Sequence, residues 1–371
     1  METPRVLIAD DQPHVLEALQ LLLKNEGFLS ETVNSPGAVV EAVQDRNFDV
    51  LLLDLNYARD TTSGAEGLQL LSRIRELDSA LPVVLMTAWG SIELAVEAMQ
   101  GGGRDFLQKP WDNEKLVSSL RRQIEEGRLL REKKRELDEA RAIQQRFLPA
   151  EMPKLRGCDI QAFWKPLNGV GGDYFDAMQL DDSTVALCIA DVAGKGLPAA
   201  LLMSNMQATV RRLMQATRSP AQLCRQFNRV AVENTTSERF VTLFYAVLDL
   251  KTRTLRYTNA GHVPPMLFRA GGTIERLCDG GTVLGIFGDS DYDETQIDVR
   301  AGDRLVFVTD GITEARNGED EEFGDARLAA LLLKYRDLEP AQLQRVLIDS
   351  VVSFAGEALQ DDATIMIVSC D

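Results

Sequence analysis

Nowhere does this 371-residue sequence carry a strong basic surplus. The net charge is -17, of which residues 1–122 contribute -8 and residues 151–371 contribute -10, while residues 123–150 stand at +1. A nucleic-acid-binding surface needs a lysine and arginine footprint to neutralise phosphates, so no nucleic-acid partner is expected. Cysteines are few and odd in number: Cys158, Cys188, Cys224, Cys278 and Cys370, with no Cys-x-x-Cys pair. That pattern argues against a disulfide framework or a structural zinc, and most of the five read as small buried apolar residues. No apolar run approaches the roughly 20 residues needed to cross a bilayer. The first residues, METPRVLIADD, enter a strand with no signal peptide. A cytoplasmic protein with no membrane partner is the expectation. With 45% apolar and 26% charged residues the chain has ordinary globular composition, and its length favours two domains.

What is present begins with strand–helix alternation over residues 1–122. Short continuous apolar runs lie at 5–10, 49–55, 82–88 and 105–109, with a weaker one near 28–33. Strands buried on both faces of a parallel sheet read this way, because neither face has polar residues to alternate with. Helical stretches intervene, one ending at Gly27 and the next opened by Pro36. The pattern predicts a doubly wound α/β domain with its ligand site beyond the carboxyl ends of the strands. Those ends carry Asp10 and Asp11, Asp54, Thr87, and Lys109 before Pro110. Three carboxylates on one rim can hold one Mg²⁺ while Asp54 acts as nucleophile towards a phosphoryl group. Lys109 can pair with the phosphoryl oxygens, and Thr87 can hydrogen-bond them.

On these residues, 1–122 resembles the receiver domain of bacterial two-component response regulators. The resemblance implies that a sensor histidine kinase phosphorylates Asp54, that Asp10, Asp11 and Asp54 hold Mg²⁺, and that Thr87 and Lys109 read the phosphoryl group. Phe106 matches the switch aromatic, without the hydroxyl that a Tyr would bring. One feature departs from the pattern. The Gly-Leu helix start falls at Gly67-Leu68, several residues late, after LNYARDTTSGAE. This longer loop over 55–67 is similar to that of some nitrogen-regulator-type receivers. It either gates Asp54, binds a partner, or is a tolerated surface insertion.

From Asp112, whose side chain can cap a helix N-terminus, one long helical pattern runs to Pro149. Leu116, Leu120, Ile124, Leu130, Leu137, Ile143 and Phe147 keep a rough helical period without strict heptads. Lys134 and Arg141 fall where a coiled coil prefers apolar residues. Two readings of the 123–150 linker follow: a coiled coil that makes the chain a homodimer, or a solvated connecting helix.

Residues 151–371 change character to longer strands and hairpins, with helices expected at 197–215 and 219–234 and near 325–335 and 340–357. Strands at both ends with helices grouped between them predict an α+β layered sandwich with flanking helices. The most telling stretch is 171–196, GGDYFDAMQLDDSTVALCIADVAGKG. Asp173 and Asp191 stand at the two ends of a strand pair, and the glycines allow sharp turns and close approach. Asp310, in LVFVTDGITEA, and Asp361-Asp362, in QDDATIMIV, also stand against apolar strands. A carboxylate there is costly unless it is paired or bound to a cation. Carboxylates delivered by separate strands to one point are what a two-metal hydrolytic site needs.

The run GGDYFD, ADVAGKG, YTNAGHVPP, VTDGITEA and DDAT resembles, in order, the metal-dependent protein phosphatases of the 2C type, in their bacterial stress-response and sporulation branch. ARAIQQRFLP is similar to the segment that precedes the phosphatase domain in such proteins. The resemblance implies two Mg²⁺ or Mn²⁺ ions. Asp173 matches a ligand of one, Asp191 the bridging ligand with the backbone carbonyl of Val192 beside it, and Asp310 and Asp361 ligands of the other. Asp362 sits where relatives have Asn or Asp. The histidine that follows the bridging aspartate in eukaryotic relatives is missing: Ala193, Gly194 and Lys195 stand there, so the general acid is undefined. The family likeness implies a response regulator whose output is a serine/threonine phosphatase acting on a phosphorylated anti-sigma-factor antagonist. The alternative is an adaptor that has lost turnover and sequesters a regulatory protein; the intact carboxylate set favours the enzyme.

Overall fold

The computed structural model describes residues 3–56, 65–87, 92–235, 239–356 and 359–370. Most of the long 55–67 loop lies outside the described residues. Two compact units, Met1–Glu136 and Leu137–Asp371, make up the chain.

The first unit alternates strand and helix: β1 (Arg5–Ala9), α1 (Pro13–Asn25), β2 (Leu29–Val33), α2 (Pro36–Asp45), β3 (Val50–Asp54), α3 (Ala65–Leu77), β4 (Val83–Thr87), α4 (Ile92–Gln100) and β5 (Asp105–Gln108). The sheet is parallel with order β2-β1-β3-β4-β5. Its strands have apolar side chains on both faces because both are covered. Leu7 and Leu51 face a layer containing Leu71 and Ile74 of α3. Val6, Ile8 and Leu52 face Leu19 and Leu23 of α1 and Leu116, Leu120 and Ile124 of the next helix.

That helix, α5 (Asn113–Gln145), begins with Asp112 accepting a hydrogen bond from the Lys115 N–H at 2.9 Å, an N-cap. The segment 123–150 is shared between the two units. Its first part belongs to the first unit: Arg128 pairs with Asp49 at 3.1 Å and Arg131 with Asp78 at 3.1 Å. Gly127 has a packing reason, since a Cβ there would lie 2.5 Å from the Pro82 ring. Leu129, Leu130 and Ile143 on the same helix are exposed.

The second unit contains β6 (Cys158–Lys165), β7 (Tyr174–Gln179), β8 (Thr184–Val192), α6 (Leu197–Ala216), α7 (Pro220–Asn234), β9 (Val241–Asp249), β10 (Thr254–Ala260), β11 (Met266–Phe268), β12 (Ile274–Arg276), β13 (Gly280–Gly281), β14 (Thr295–Asp298), β15 (Arg304–Val308), α8 (Asp310–Thr313), α9 (Gly324–Lys334), α10 (Pro340–Ala355) and β16 (Ala363–Cys370). One sheet runs β13-β10-β9-β8-β7, with β14 on β10; the other runs β12-β11-β15-β16-β6. The short strands β11 to β14 and the one-turn α8 are too brief for a periodicity to reveal.

Alternation in β8 and β9 explains the layering. Leu187, Ile189, Phe244 and Leu248 point between the sheets, against Leu305, Phe307, Met366 and Val368. Phe244 and Phe307 meet edge to face, 5.5 Å between centroids. Cys188, Ala190, Leu243 and Tyr245 point outward and are covered by Met203, Met206 and Val210 of α6 and Phe227 of α7. Leu328, Leu332, Leu343 and Leu347 of α9 and α10 cover the other sheet's outer face. The result is an α-β-β-α sandwich. Among the described residues no helix is long and apolar enough to cross a membrane.

Candidate functional site

In the first unit, the strand ends converge as the spacing predicts. Asp10, Asp54 and Thr87 are buried, and Lys109 is nearly so. The Lys109 Nζ donates to Asp10 Oδ2 at 2.6 Å and to Asp54 Oδ2 at 2.9 Å. Ligand atoms of Asp10, Asp11 and Asp54 lie within 4.8 Å of one another, and Asp11 Oδ1 is buried with no hydrogen-bond partner. An orphaned buried oxygen in an all-carboxylate set suits a hard divalent cation such as Mg²⁺. Burial raises the Asp54 carboxyl above its ordinary value, against the pull of Lys109. Burial opposes the charge of Lys109, yet hydrogen bonds from it to Asp10 and Asp54 hold its ammonium above the ordinary value.

Asn56 was not singled out by the sequence. Its Nδ2 donates to Thr87 Oγ1 at 3.0 Å, and its N–H reaches Asp54 Oδ1 at 3.4 Å, so it ties Asp54 to the threonine. Phe106 is half-buried and packs against the core on the α3 side.

In the second unit, Asp173 immediately precedes β7 and Asp191 is the penultimate residue of β8. The pairing of Tyr174 with Ala190 brings the two to the same end of that sheet. Asp310 opens α8 directly after β15, and Asp361-Asp362 directly precede β16, which pairs with β15. All therefore meet at one end of the sandwich. Gly311 makes the meeting possible, because a Cβ there would stand 2.0 Å from the Asp362 carbonyl oxygen.

Two threonines clasp the sheets together at this point. Thr309 Oγ1 donates to Asp173 Oδ2 at 2.8 Å and Thr364 Oγ1 donates to the same oxygen at 2.6 Å. The other oxygen, Asp173 Oδ1, is buried without a partner. Asp362 has both oxygens engaged by backbone: Oδ1 accepts from the Leu167 N–H and Oδ2 from the Gly172 N–H, each at 2.7 Å. Asp362 thus pins the Gly171-Gly172 turn that carries Asp173. The same turn is held from behind by Gln144, near the end of α5. Its Nε2 donates to the Gly171 carbonyl at 2.6 Å and its Oε1 accepts from the Gly171 N–H at 3.0 Å, all buried. Gln207 on α6 donates to the Phe147 carbonyl at 3.0 Å. A glutamine inside a charge-rich helix gives no sequence signal, so its role emerges only in three dimensions.

Crowding of like charge sets the electrostatics. Burial, then the charge of Asp191, raises Asp173 well above the carboxylate range. Burial, then the charges of Asp310, Asp361 and Asp362, pushes Asp191 up to about 7. Burial and the neighbouring Asp361 raise Asp310. Acids in this state gain from a bound cation, and the donor set is all oxygen, which fits Mg²⁺ or Mn²⁺. These acids are more loosely spaced than Asp10, Asp11 and Asp54, the one group of three within 4.8 Å among the described residues. A lysine stands among them: Lys195 Nζ lies 2.6 Å from Asp361 Oδ2.

His262 is a buried framework residue. Its Nδ1 is 2.9 Å from Thr242 Oγ1, its N–H donates to Asn259 Oδ1 at 2.7 Å, and burial depresses it to about 4. Lys165 is exposed at the end of β6.

A five-stranded parallel receiver followed by this sandwich defines a response-regulator receiver domain joined to a 2C-type protein serine/threonine phosphatase domain. Family models agree: the response regulator receiver domain matches residues 6–121, and the stage II sporulation protein E (SpoIIE) model matches residues 181–371. The chain belongs to the SpoIIE family. Among curated relatives, phosphoserine phosphatase RsbU of Bacillus subtilis (strain 168) is 28% identical over 296 residues, covering 80% of this chain and 83% of RsbU. Protein IcfG of Synechocystis is 30% identical over 261 residues, covering 63% of this chain and 41% of IcfG. The solved SiaA-PP2C domain of Pseudomonas aeruginosa shares the sandwich fold, with a TM-score of 0.58 at 23% identity over 66% of this chain and 99% of that domain.

Proposed function

We propose that this chain is a metal-dependent phosphatase for phosphoserine or phosphothreonine on an anti-sigma-factor-antagonist-like protein, controlled by phosphorylation of Asp54 by a sensor histidine kinase. The observation that carries the phosphatase half is the meeting of Asp173, Asp191, Asp310 and Asp361 at one end of the sandwich. The likeness to RsbU, whose name states a phosphoserine phosphatase, supports the substrate class.

In this reading Asp173, Asp191 with the Val192 carbonyl, Asp310 and Asp361 would hold two Mg²⁺ or Mn²⁺ ions. Such ions lower the proton affinity of a bound water and neutralise charge on the phosphoryl group. Thr309 and Thr364 orient Asp173 by occupying one of its oxygens, which leaves Oδ1 as the ligand atom. Asp362 and Gln144 hold the turn that carries it. His262, depressed and buried, does not serve as the acid; bulk water or the leaving group's own chemistry completes protonation. In the receiver, Asp54 accepts the phosphoryl group, Asp10 and Asp11 hold Mg²⁺, and Lys109 then pairs with the phosphoryl oxygens. Phe106 and Thr87 respond to it as the switch pair. The exposed Leu129, Leu130 and Ile143 on α5 support a homodimer through that helix. Signal passes along α5 to the Gly171 turn, and the N-terminus of α6 is the second element that can move a ligand.

The test is phosphate release from a phosphoserine-bearing antagonist protein with Mn²⁺, with and without a beryllofluoride mimic on Asp54. Asp191→Ala should abolish release, and Asp54→Asn should remove the response to the mimic. Equal activity of wild type and Asp191→Ala would refute the metal assignment.

A further inference from the structure

We propose that Lys195 is a built-in counter-ion of the phosphatase site: its ammonium holds Asp361 until a divalent ion displaces it, so that a metal binds in competition with this lysine. The inference rests on the reading of Asp361 as a metal ligand.

Lys195 Nζ lies 2.6 Å from Asp361 Oδ2 and donates to the Gln360 carbonyl at 2.9 Å. Among the described residues it is the one basic side chain in an ion pair with any of Asp173, Asp191, Asp310, Asp361 or Asp362. Its neighbourhood is a set of acids that crowd one another: the charge of Asp361 acts on both Asp191 and Asp310. An ammonium offers three donors and no acceptor, so it can neutralise these acids but cannot share one carboxylate oxygen with a divalent ion without like-charge repulsion. Asp361 Oδ1 already accepts the Asp362 N–H at 2.9 Å, so a metal that takes Oδ2 competes directly with Lys195.

The chain around Lys195 is built to let it go. The side chain is 53% exposed, so its head can turn into water. It sits between Gly194 and Gly196, both with positive φ (109° and 70°), and Gly196 is the N-cap of α6. Withdrawal of the lysine frees the ligand and raises metal affinity; its return lowers it.

The experiment is Mn²⁺ binding to the full chain, followed by the electron paramagnetic resonance signal of free Mn²⁺. It is done in an Asp11→Asn background so that the receiver's acidic trio contributes little. Lys195→Met should tighten the sandwich site about threefold to fivefold, the scale of a half-exposed ion pair. Lys195→Arg, which keeps the charge, should stay within about twofold of the parent. The Mn²⁺-induced rise in melting temperature should be larger for Lys195→Met than for the parent; Lys195→Gln serves as a second uncharged variant if the Met protein folds poorly. Equal or weaker Mn²⁺ binding by a folded uncharged variant overturns the inference. Retention of full Mn²⁺ binding by Asp361→Asn would instead overturn the ligand assignment, and this inference with it.

Discussion

Replacing Gln144 by leucine tests whether the end of α5 holds the turn that carries Asp173, the metal ligand proposed above. Leucine keeps most of the side-chain volume and removes both polar atoms. The two hydrogen bonds to Gly171, at 2.6 and 3.0 Å, disappear, and a buried N–H and C=O lose their partner. Each buried group left unpaired costs about 1–3 kcal/mol, so for the two groups the local penalty is about 2–6 kcal/mol. The turn can recover part of this by moving towards water. Movement would strain the Gly172 N–H bond to Asp362 and displace Asp173, which is the next residue. If about 2 kcal/mol of the penalty is expressed at the metal site, the Mn²⁺ concentration for half-maximal phosphatase activity rises roughly thirtyfold. The assay is a Mn²⁺ titration of activity beside a urea melt of the same protein. A variant that loses global stability while its Mn²⁺ half-saturation stays at the wild-type value would refute the reasoning. So would one in which neither quantity changes.

Gly311→Ala places a methyl 2.0 Å from the Asp362 backbone oxygen, a clash no rotamer relieves, and should cost about 3 kcal/mol or more and shift the urea midpoint accordingly. A midpoint unchanged from wild type would show that the Asp310 and Asp361 segments do not approach as described. The proton held on Asp191 predicts a pH effect. Its folded value is raised from 3.8 to about 7, so its contribution to stability in the metal-free protein is full at low pH and is lost as pH rises through about 7. Mn²⁺ takes the place of that proton, so binding near pH 6 should release protons, and the metal-induced rise in melting temperature should grow between pH 6 and pH 8. Titration calorimetry in buffers of different ionisation enthalpy checks this, and heats independent of buffer would contradict it.

Much of the architecture is legible in the chain itself. Continuous apolar runs in the first third can only be strands covered on both faces, and the acidic, threonine and lysine residues at their ends must then share one rim. In the sandwich, the same logic singles out Asp191, Asp310 and the Asp361-Asp362 pair, because each ends or begins an apolar strand where an unpartnered charge is costly, while the ligand role of Asp173 and the choice of Asp361 over Asp362 rest on the family resemblance. These features are local: they depend on period and on a strand's last residue.

Other features were decided only by the tertiary structure, because they join residues far apart in sequence through single contacts. Gln144 and Gly171 are a side chain and a backbone group from unrelated elements. Asn56 meets Thr87 only because β3 and β4 lie side by side. Asp362 resembles its neighbour Asp361 in the sequence, yet one has both oxygens bound to backbone N–H groups and the other faces Lys195. Burial and hydrogen-bond geometry separate two adjacent aspartates that composition and spacing treat as equal. The periodic burial of apolar surface is written along the chain; the assignment of each polar atom to its partner waits for the fold to bring them together.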